Sequence, residues 1–429
     1  MTADPPSLAP ALIDEVLAAG ALHGEHPVCV HATPYVLSTP SLRRWSRILP
    51  RFHRIIRQVR AALLSDIDRD DGLAARIGVH PQAIAWARID PGFASVAPLA
   101  RLDAFCSADN PWFVELNAES PAGMGYADAL AGVFLRAPEW RGYRAFDAGG
   151  AVARTLRAIA REWDQRPTGP TDVRIPSPRP SVVIVDEAGV ATAPEFDLLR
   201  DRLRREGHSC EVATPPDLTF DGDRLRLGDL AIDVVYRRIL VGDIRARPDA
   251  CRALLDAYTN GRVCMVNSLR TALLHGKGLF ALLHDPSFPL VAADRAFIDR
   301  HVPWTGLLVG SGGDALREQA RRDPGAWALK PLDGHGGAGV FLGWDTPRDA
   351  WERAVDGATQ HVLQRRIPEE YGSFYDVRTG AWERRLVDLG PFLARGRLAG
   401  FLCRVAEGAL ANVSQGGATQ LPVLFPPRV

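Results

Sequence analysis

Between residues 181 and 266 short apolar runs alternate with helix-length segments, and this alternation restricts the possible folds of the 429-residue chain more than any other feature. Residues 181–186 read Ser-Val-Val-Ile-Val-Asp, a run with no polar alternation, as in a strand covered on both faces. The spacing predicts a helix over 195–205, a second strand over 209–213, a third over 232–236, a helix over 247–258 and a fourth strand over 263–266. Strands joined by helical crossovers must run parallel, so a Rossmann-like domain is expected over 179–267, although no glycine fingerprint follows its first strand. Five prolines between Arg166 and Pro180 mark its leading boundary.

The flanking segments follow other periods. Residues 1–95 read as a helical region, and 41–64 repeat Leu42, Trp45, Ile48, Leu49, Phe52, Ile55, Ile56 and Val59 at three-to-four spacing. Residues 97–118 switch to a β-hairpin around Ser-Ala-Asp-Asn-Pro, and helices are predicted at 124–136 and 150–163. These segments make up a second unit, 96–178. The last unit, 268–429, combines helices at 269–284 and 313–321 with strands at 326–330, 339–343, 360–365, 380–388 and 398–406. The fold class is therefore mixed α/β (α+β), without internal repeats.

An apolar content of 46% allows a large core, and 51 basic against 51 acidic residues leave no net charge to recruit nucleic acid or anionic lipid. The six cysteines form no Cys-x-x-Cys pair, which disfavours a zinc site or a disulfide framework. With no leader-like start and no apolar stretch of spanning length, a cytoplasmic, membrane-free protein is expected.

The hairpin carries Arg101 and Asp103 on one strand, Glu115 and Asn117 on the other. Each pair is spaced by two, so each projects from one strand face. Pairing 103 with 115 sets 101 opposite 117. Two carboxylates and an amide oxygen are hard donors suited to Mg²⁺, and an arginine beside them can grip phosphate or carboxylate. Charges on a half-exposed sheet also serve solubility; the following Ser120-Pro121-Ala122-Gly123 loop, able to bring a substrate near, favours a site.

Only two of the 51 basic residues are lysines, Lys277 and Lys330, each near glycine. In so arginine-rich a chain, a retained ammonium suggests a compact charge that a planar fork cannot replace, such as one against phosphate in a tight pocket. Lys330 precedes Gly334-His335-Gly336-Gly337-Ala338-Gly339, and Lys277 lies between Gly276 and Gly278. The loop matches G-x-G-x-x-G and so raises a nicotinamide oxidoreductase, yet an apolar run, Val340-Phe341-Leu342, follows it where the dinucleotide fingerprint needs a helix. Strand, glycine loop, strand is a hairpin that can fold over a triphosphate through its N–H groups. A flexible hairpin tip is the competing reading, and the loop alone does not separate the two.

Together these motifs resemble the ATP-grasp ligases of circularly permuted order, nearest the synthetase domain of glutathionylspermidine synthases. The resemblance runs from about residue 97 to the end and is weak over 124–260; there is no amidase domain. It implies that Arg101-x-Asp103 and Glu115-x-Asn117 carry the metal sites, that Lys277 and Lys330 are the nucleotide lysines, and that the 334–339 loop is a lid. By the same resemblance Val362-Leu363-Gln364 is similar to the hinge strand that meets adenine, placing Gln364 there, and Arg404 with the stretch holding Asn412 and Ser414 resembles the closing strands. The implied fold is a permuted ATP-grasp with an inserted Rossmann-like domain and an N-terminal helical region. The implied chemistry joins a small-molecule or peptide carboxylate to an amine acceptor with ATP and Mg²⁺ through an acyl phosphate, releasing ADP and phosphate. Asp103, Glu115 and Asn117 would hold the metal, and Arg101 and Arg404 would act on the reacting groups. A nucleotide-binding scaffold that makes no bond is the alternative from another class.

Other polar residues are less informative. His335 is solvated at a hairpin tip or touches phosphate. Cys106 has no basic partner in sequence and reads as a buried thiol. Arg237 and Arg238 end a strand where an anionic substrate would dock, with a surface arginine pair as an equal alternative, and Glu369-Glu370 read as a turn cap.

Overall fold

The computed structural model describes residues 4–107, 110–167, 173–175, 177–334, 337–408 and 418–427. An antiparallel sheet dominates it, ordered Ala418–Leu421, Arg397–Ala406, Ala381–Ala394, Leu99–Ser107, Asn110–Asn117, with Tyr371–Asp376 pairing the early half of Ala381–Ala394. The hairpin register sets Asp103 opposite Glu115 and Arg101 opposite Asn117, the pairing that the spacing predicts, with an irregularity just after Asp103.

The long amphipathic segment forms the helix Thr39–Ser65, whose first turn is capped by the Ser38 hydroxyl accepting from Ser41 N at 3.2 Å. Its apolar stripe packs on this sheet, with the Trp45 and Phe52 rings 6.1 and 5.0 Å from Phe113. Residues 1–95 are not helical throughout. Leu22–His23 pairs with His26–Pro27, and Tyr35–Val36 lies parallel to Val423–Leu424. The core under this sheet draws on both ends of the chain, from Leu8 to Leu424.

Residues 182–266 form a four-stranded parallel sheet ordered Cys264–Val266, Val234–Arg237, Val182–Val185, Cys210–Ala213. Val182–Val185 is buried at every position, as its apolar run requires. Two neighbours lie on opposite sides of this first strand, so a crevice opens at its carboxyl end. The helix expected over 247–258 begins only at Arg252 and runs to Thr259, after Pro248, which supplies no backbone N–H, and an unforeseen short helix, Val241–Ala246, precedes it. A small three-stranded sheet over 218–231 was not foreseen.

Asn267 ties this unit to the hairpin. Its side-chain amide donates to the carbonyls of Leu99, Ala118 and Glu119 at 2.7–2.9 Å and accepts from Leu99 N at 3.1 Å. Three carbonyls share the two amide hydrogens and the amide oxygen is engaged as well, which locks the base of the hairpin.

A second antiparallel sheet, ordered Thr305–Leu307, His361–Arg365, Trp327–Pro331, Phe341–Leu342, packs on helices Gly310–Arg322 and Arg348–Gly357 around Trp327, Leu329 and Trp351. The helix expected over 269–284 is broken into Ala272–His275 and Gly278–His284, and Lys277 sits at the break. A Cβ on Gly278 would meet the Ile77 carbonyl oxygen at 2.1 Å, so packing on Ile77 demands that glycine.

Candidate functional site

The three sheets meet around one cavity of about 440 Å³. Arg101, Asp103, Glu115 and Asn117 line it from the hairpin; Lys277, Lys330, Gly334, Gly337 and Gln364 from the second sheet and its approach; Arg404 from the central sheet. Gly339 is in the same loop. His335, Gly336, Asn412 and Ser414 lie outside the described residues.

Asp103 is the hub of the charged wall. Its Oδ1 accepts from Arg101 Nε at 2.8 Å and Asn117 Nδ2 at 3.1 Å, and its Oδ2 from Arg404 at 2.8 Å. Burial would raise its pKa, but the Arg101 and Arg404 guanidinium groups overrule burial and hold it well below the usual carboxylate range. Asn117 spends its NH₂ group there and keeps its carbonyl oxygen as a hard donor. Arg101 NH1 donates to the Ala122 carbonyl at 3.0 Å, so the loop after the hairpin is held against the site.

Arg404 also grips Asp388, through Nε at 2.9 Å and a close NH2 contact. Asp388 is the main residue that sequence reasoning missed. Its one signal is a lone carboxylate in the apolar run Leu386-Val387-Asp388-Leu389. Burial pushes its pKa up to about 6, with Asp103 adding to the rise and Arg404 opposing it.

The two lysines converge from residues 53 apart in the chain, 330 less 277. Lys277 Nζ donates to the Gly334 carbonyl at 2.8 Å and lies 3.6 Å from Glu115 Oε1. Lys330 Nζ donates to Gln364 Oε1 at 2.6 Å, while Gln364 Nε2 donates to Thr305 Oγ1 at 3.1 Å and, more weakly, to the Val114 carbonyl at 3.3 Å. Burial depresses Lys330 to about 8, against the pull of Glu115 and with the help of the Lys277 charge.

The glycine loop joins antiparallel strands, pairing Ala328 with Leu342 and Leu329 with Phe341. Gly337 (φ 74°) and Gly339 (φ 70°) take left-handed backbone that side chains disfavour. No helix follows, so the dinucleotide fingerprint lacks the element whose N-terminus would face the pyrophosphate, and the oxidoreductase reading loses its basis. Leu342, Trp344, Ile367 and Leu386 give the cavity apolar lining.

No family model matches the chain, and no curated protein does. Among solved structures it is similar to a glutathione synthetase-like effector from Globodera pallida in its apo form, with 11% identity over 98% of this chain and 99% of that one, and a TM-score of 0.61. The two share a fold. A putative gamma-glutamylcysteine synthetase from Methylobacillus flagellatus (14% identity, 86% of this chain and 87% of that one, TM-score 0.45) and an ATP-grasp ligase, PsnB, complexed with minimal precursor, Mg and ADP (15%, 56% and 88%, TM-score 0.29) are too distant to carry an argument.

In this glutathione synthetase-like fold the cavity extends beyond the charged wall to the carboxyl ends of the parallel strands, where Asp186, Arg238 and Asp243 line it. Burial raises Asp186 to about 6, with Arg238 opposing and Asp243 reinforcing the rise. The adjacent arginines part company here. Arg237 is buried, pairs with Glu119 at 3.2 Å and donates to the carbonyls of Asn267 and Ile239, so it has no access to a substrate. Arg238 reaches the cavity. It donates to the Pro121 carbonyl at 2.6 Å and Tyr236 Oη at 3.2 Å, while its buried Nε has no hydrogen-bond partner. Glu369 lines the same cavity, whereas all six cysteines are free and buried, Cys106 included. No helix of the described residues is long and apolar enough to cross a membrane.

Proposed function

We propose that the protein is an ATP- and Mg²⁺-dependent carboxylate–amine ligase of circularly permuted ATP-grasp order, with the parallel sheet as its inserted Rossmann-like domain. The observation that carries this reading is the convergence in one cavity of both lysines with the Arg101–Asp103 and Glu115–Asn117 pairs. Phosphate transfer needs charge neutralisation from several directions at once, and this wall supplies it from two sheets and a helix break.

The donor set fits magnesium. Asp103, Glu115 and the free oxygen of Asn117 are hard oxygens on adjacent strands, and they would hold the ion. When bound, the metal would draw charge from the β- and γ-phosphates. Lys277 and Lys330 would take the remaining phosphate charge, and the apolar lining of the cavity would accept the base. Arg101 and Arg404 would orient a substrate carboxylate in line with the γ-phosphorus. A carboxylate oxygen forms the new P–O bond as ADP leaves; the amine nitrogen then forms a bond to the acyl carbon as phosphate leaves. The glycine loop would keep water from the acyl phosphate between these steps. Asp186 and Asp243 make the far end of the cavity anionic, which suits the ammonium of an amine acceptor, and Asp186 can take its proton.

Purified protein with Mg²⁺-ATP, an acid and hydroxylamine should give a hydroxamate together with ADP and phosphate. Absence of nucleotide binding and of turnover across acid and amine panels would sink the proposal.

A further inference from the structure

Both oxygens of Asp103 already accept hydrogen bonds, Oδ1 from Arg101 and Asn117, Oδ2 from Arg404. A magnesium ion held there at about 2.0–2.1 Å would displace donors from that carboxylate and set two positive charges against the arginines that it holds. An arginine without a second anchor would be driven away by that repulsion.

The two arginines are secured differently. Arg101 donates through NH1 to the Ala122 carbonyl at 3.0 Å, a neutral acceptor. Arg404 has a second carboxylate. In the central sheet Asp388 is its cross-strand partner, and Asp388 Oδ2 accepts from Arg404 Nε at 2.9 Å and from NH2, the same nitrogen that donates to Asp103. Asp388 Oδ1 accepts in turn from Ala104 N at 3.3 Å, beside Asp103 in the chain, so this anchor is tied to the hairpin as well. The Asp388 side chain is 2% exposed, against 15% for those of Arg404 and Asp103. Arg404 and Asp103 can thus meet a ligand, whereas Asp388 acts through Arg404.

We propose that Asp388 is a positioning residue, which keeps Arg404 aimed into the cavity when the metal takes Asp103. The Nε edge of the guanidinium stays on Asp388, and NH2 passes from Asp103 to a substrate carboxylate or the transferring phosphoryl group. The inference rests on the ligase reading for the metal and for the task of Arg404; the pairing of Arg404 with Asp388 does not.

Two measurements on the full chain test it, and the first is independent of turnover. In spectra of nitrogen-labelled protein the Arg404 Nε–H resonance, identified by its absence in Arg404→Gln, should persist in wild type when Mg²⁺-ADP is added. Its loss there would overturn the proposal without recourse to any Asp388 variant. In Asp388→Asn it should be gone, at the latest once Mg²⁺-ADP is present, and Asp388→Glu, which keeps the charge, should restore it. In ADP-release assays Asp388→Asn, with a thermal melt matching wild type, should lower kcat about 100-fold and leave the magnesium requirement within about twofold. The double variant with Arg404→Gln should be no slower than Arg404→Gln alone, as expected of one residue acting through another. A magnesium requirement that rises in Asp388→Asn would make Asp388 a metal ligand and overturn the proposal, as would a resonance that persists in that variant. A wild type without turnover would remove the ligase reading, and the resonance would still decide whether Asp388 anchors Arg404.

Discussion

Lys277 Nζ stands 3.6 Å from Glu115 Oε1, so a lysine at a helix break meets a carboxylate of the 99–117 hairpin from a different part of the chain. The cationic and anionic groups of the site pair with each other: Lys277 with Glu115, Arg101 and Arg404 with Asp103. Magnesium and triphosphate would replace these partners with stronger ones.

Lys277→Arg and Lys330→Arg should each lower ATP turnover by about 100-fold, because the bulkier fork cannot occupy a pocket shaped around Gly334 and Gln364. Coupled ADP-release assays measure this. Turnover unchanged in both variants would mean that the ammonium groups do not meet the nucleotide.

Nucleotide affinity should fall as pH rises through about 8. Burial holds Lys330 at about 8, below its free value, so the cation that phosphate needs is present below that pH and lost above it. Bound phosphate would raise the pKa, and protons would be taken up on binding above pH 8. Titrations in buffers of different ionisation enthalpy detect that uptake, and Lys330→Gln should abolish it.

Asp103→Asn should cost more than the loss of a metal ligand. It also removes the charge that holds Arg101 and Arg404, so the magnesium requirement should rise and the maximal rate fall by about 1,000-fold. Arg404→Gln should depress the rate while sparing the magnesium requirement, and magnesium titrations of both variants separate the two roles.

Replacing Arg237 by Met should destabilise the protein by about 3–5 kcal/mol, because Glu119 is left buried without its partner. Urea unfolding reads the loss. Arg238→Met should also lower stability, because buried Glu195 loses its partner, and should in addition weaken substrate use, since Arg238 is the one that lines the cavity.

Stability should also decline in acid through His31. Burial depresses its pKa to about 4, with Asp376 opposing and Arg385 adding to the fall. The unfolded chain therefore takes up the proton first. This contribution is complete above about pH 6.5 and is lost as pH falls toward 4, up to about 3 kcal/mol. His31→Asn should show a shallower loss between pH 7 and 4.5 in urea melts.

Much of the fold was legible because local spacing reports local geometry. The Val182–Val185 run, the Thr39–Ser65 helix and the hairpin register each follow from a period of two or 3.6. Errors fell where one residue overrides the period. Pro248 lies just before an expected helix that starts only at Arg252, and Gly276 and Gly278 interrupted another at Lys277.

By itself the sequence determined which residues share a strand face and which charges were scarce. Asp103 and Glu115 could be paired, and both lysines singled out, before any tertiary contact was known. Tertiary structure decided which polar groups meet and which are sealed away. Asp388 joined the site because the Ala381–Ala394 strand lies against Leu99–Ser107. Arg237 was locked into the interior while Arg238 reached the cavity, although they are neighbours. The physical reason is that burial and charge pairing belong to the space between elements: Glu119, Glu195 and Asp186 come to those arginines from other segments, and no local period encodes their arrival.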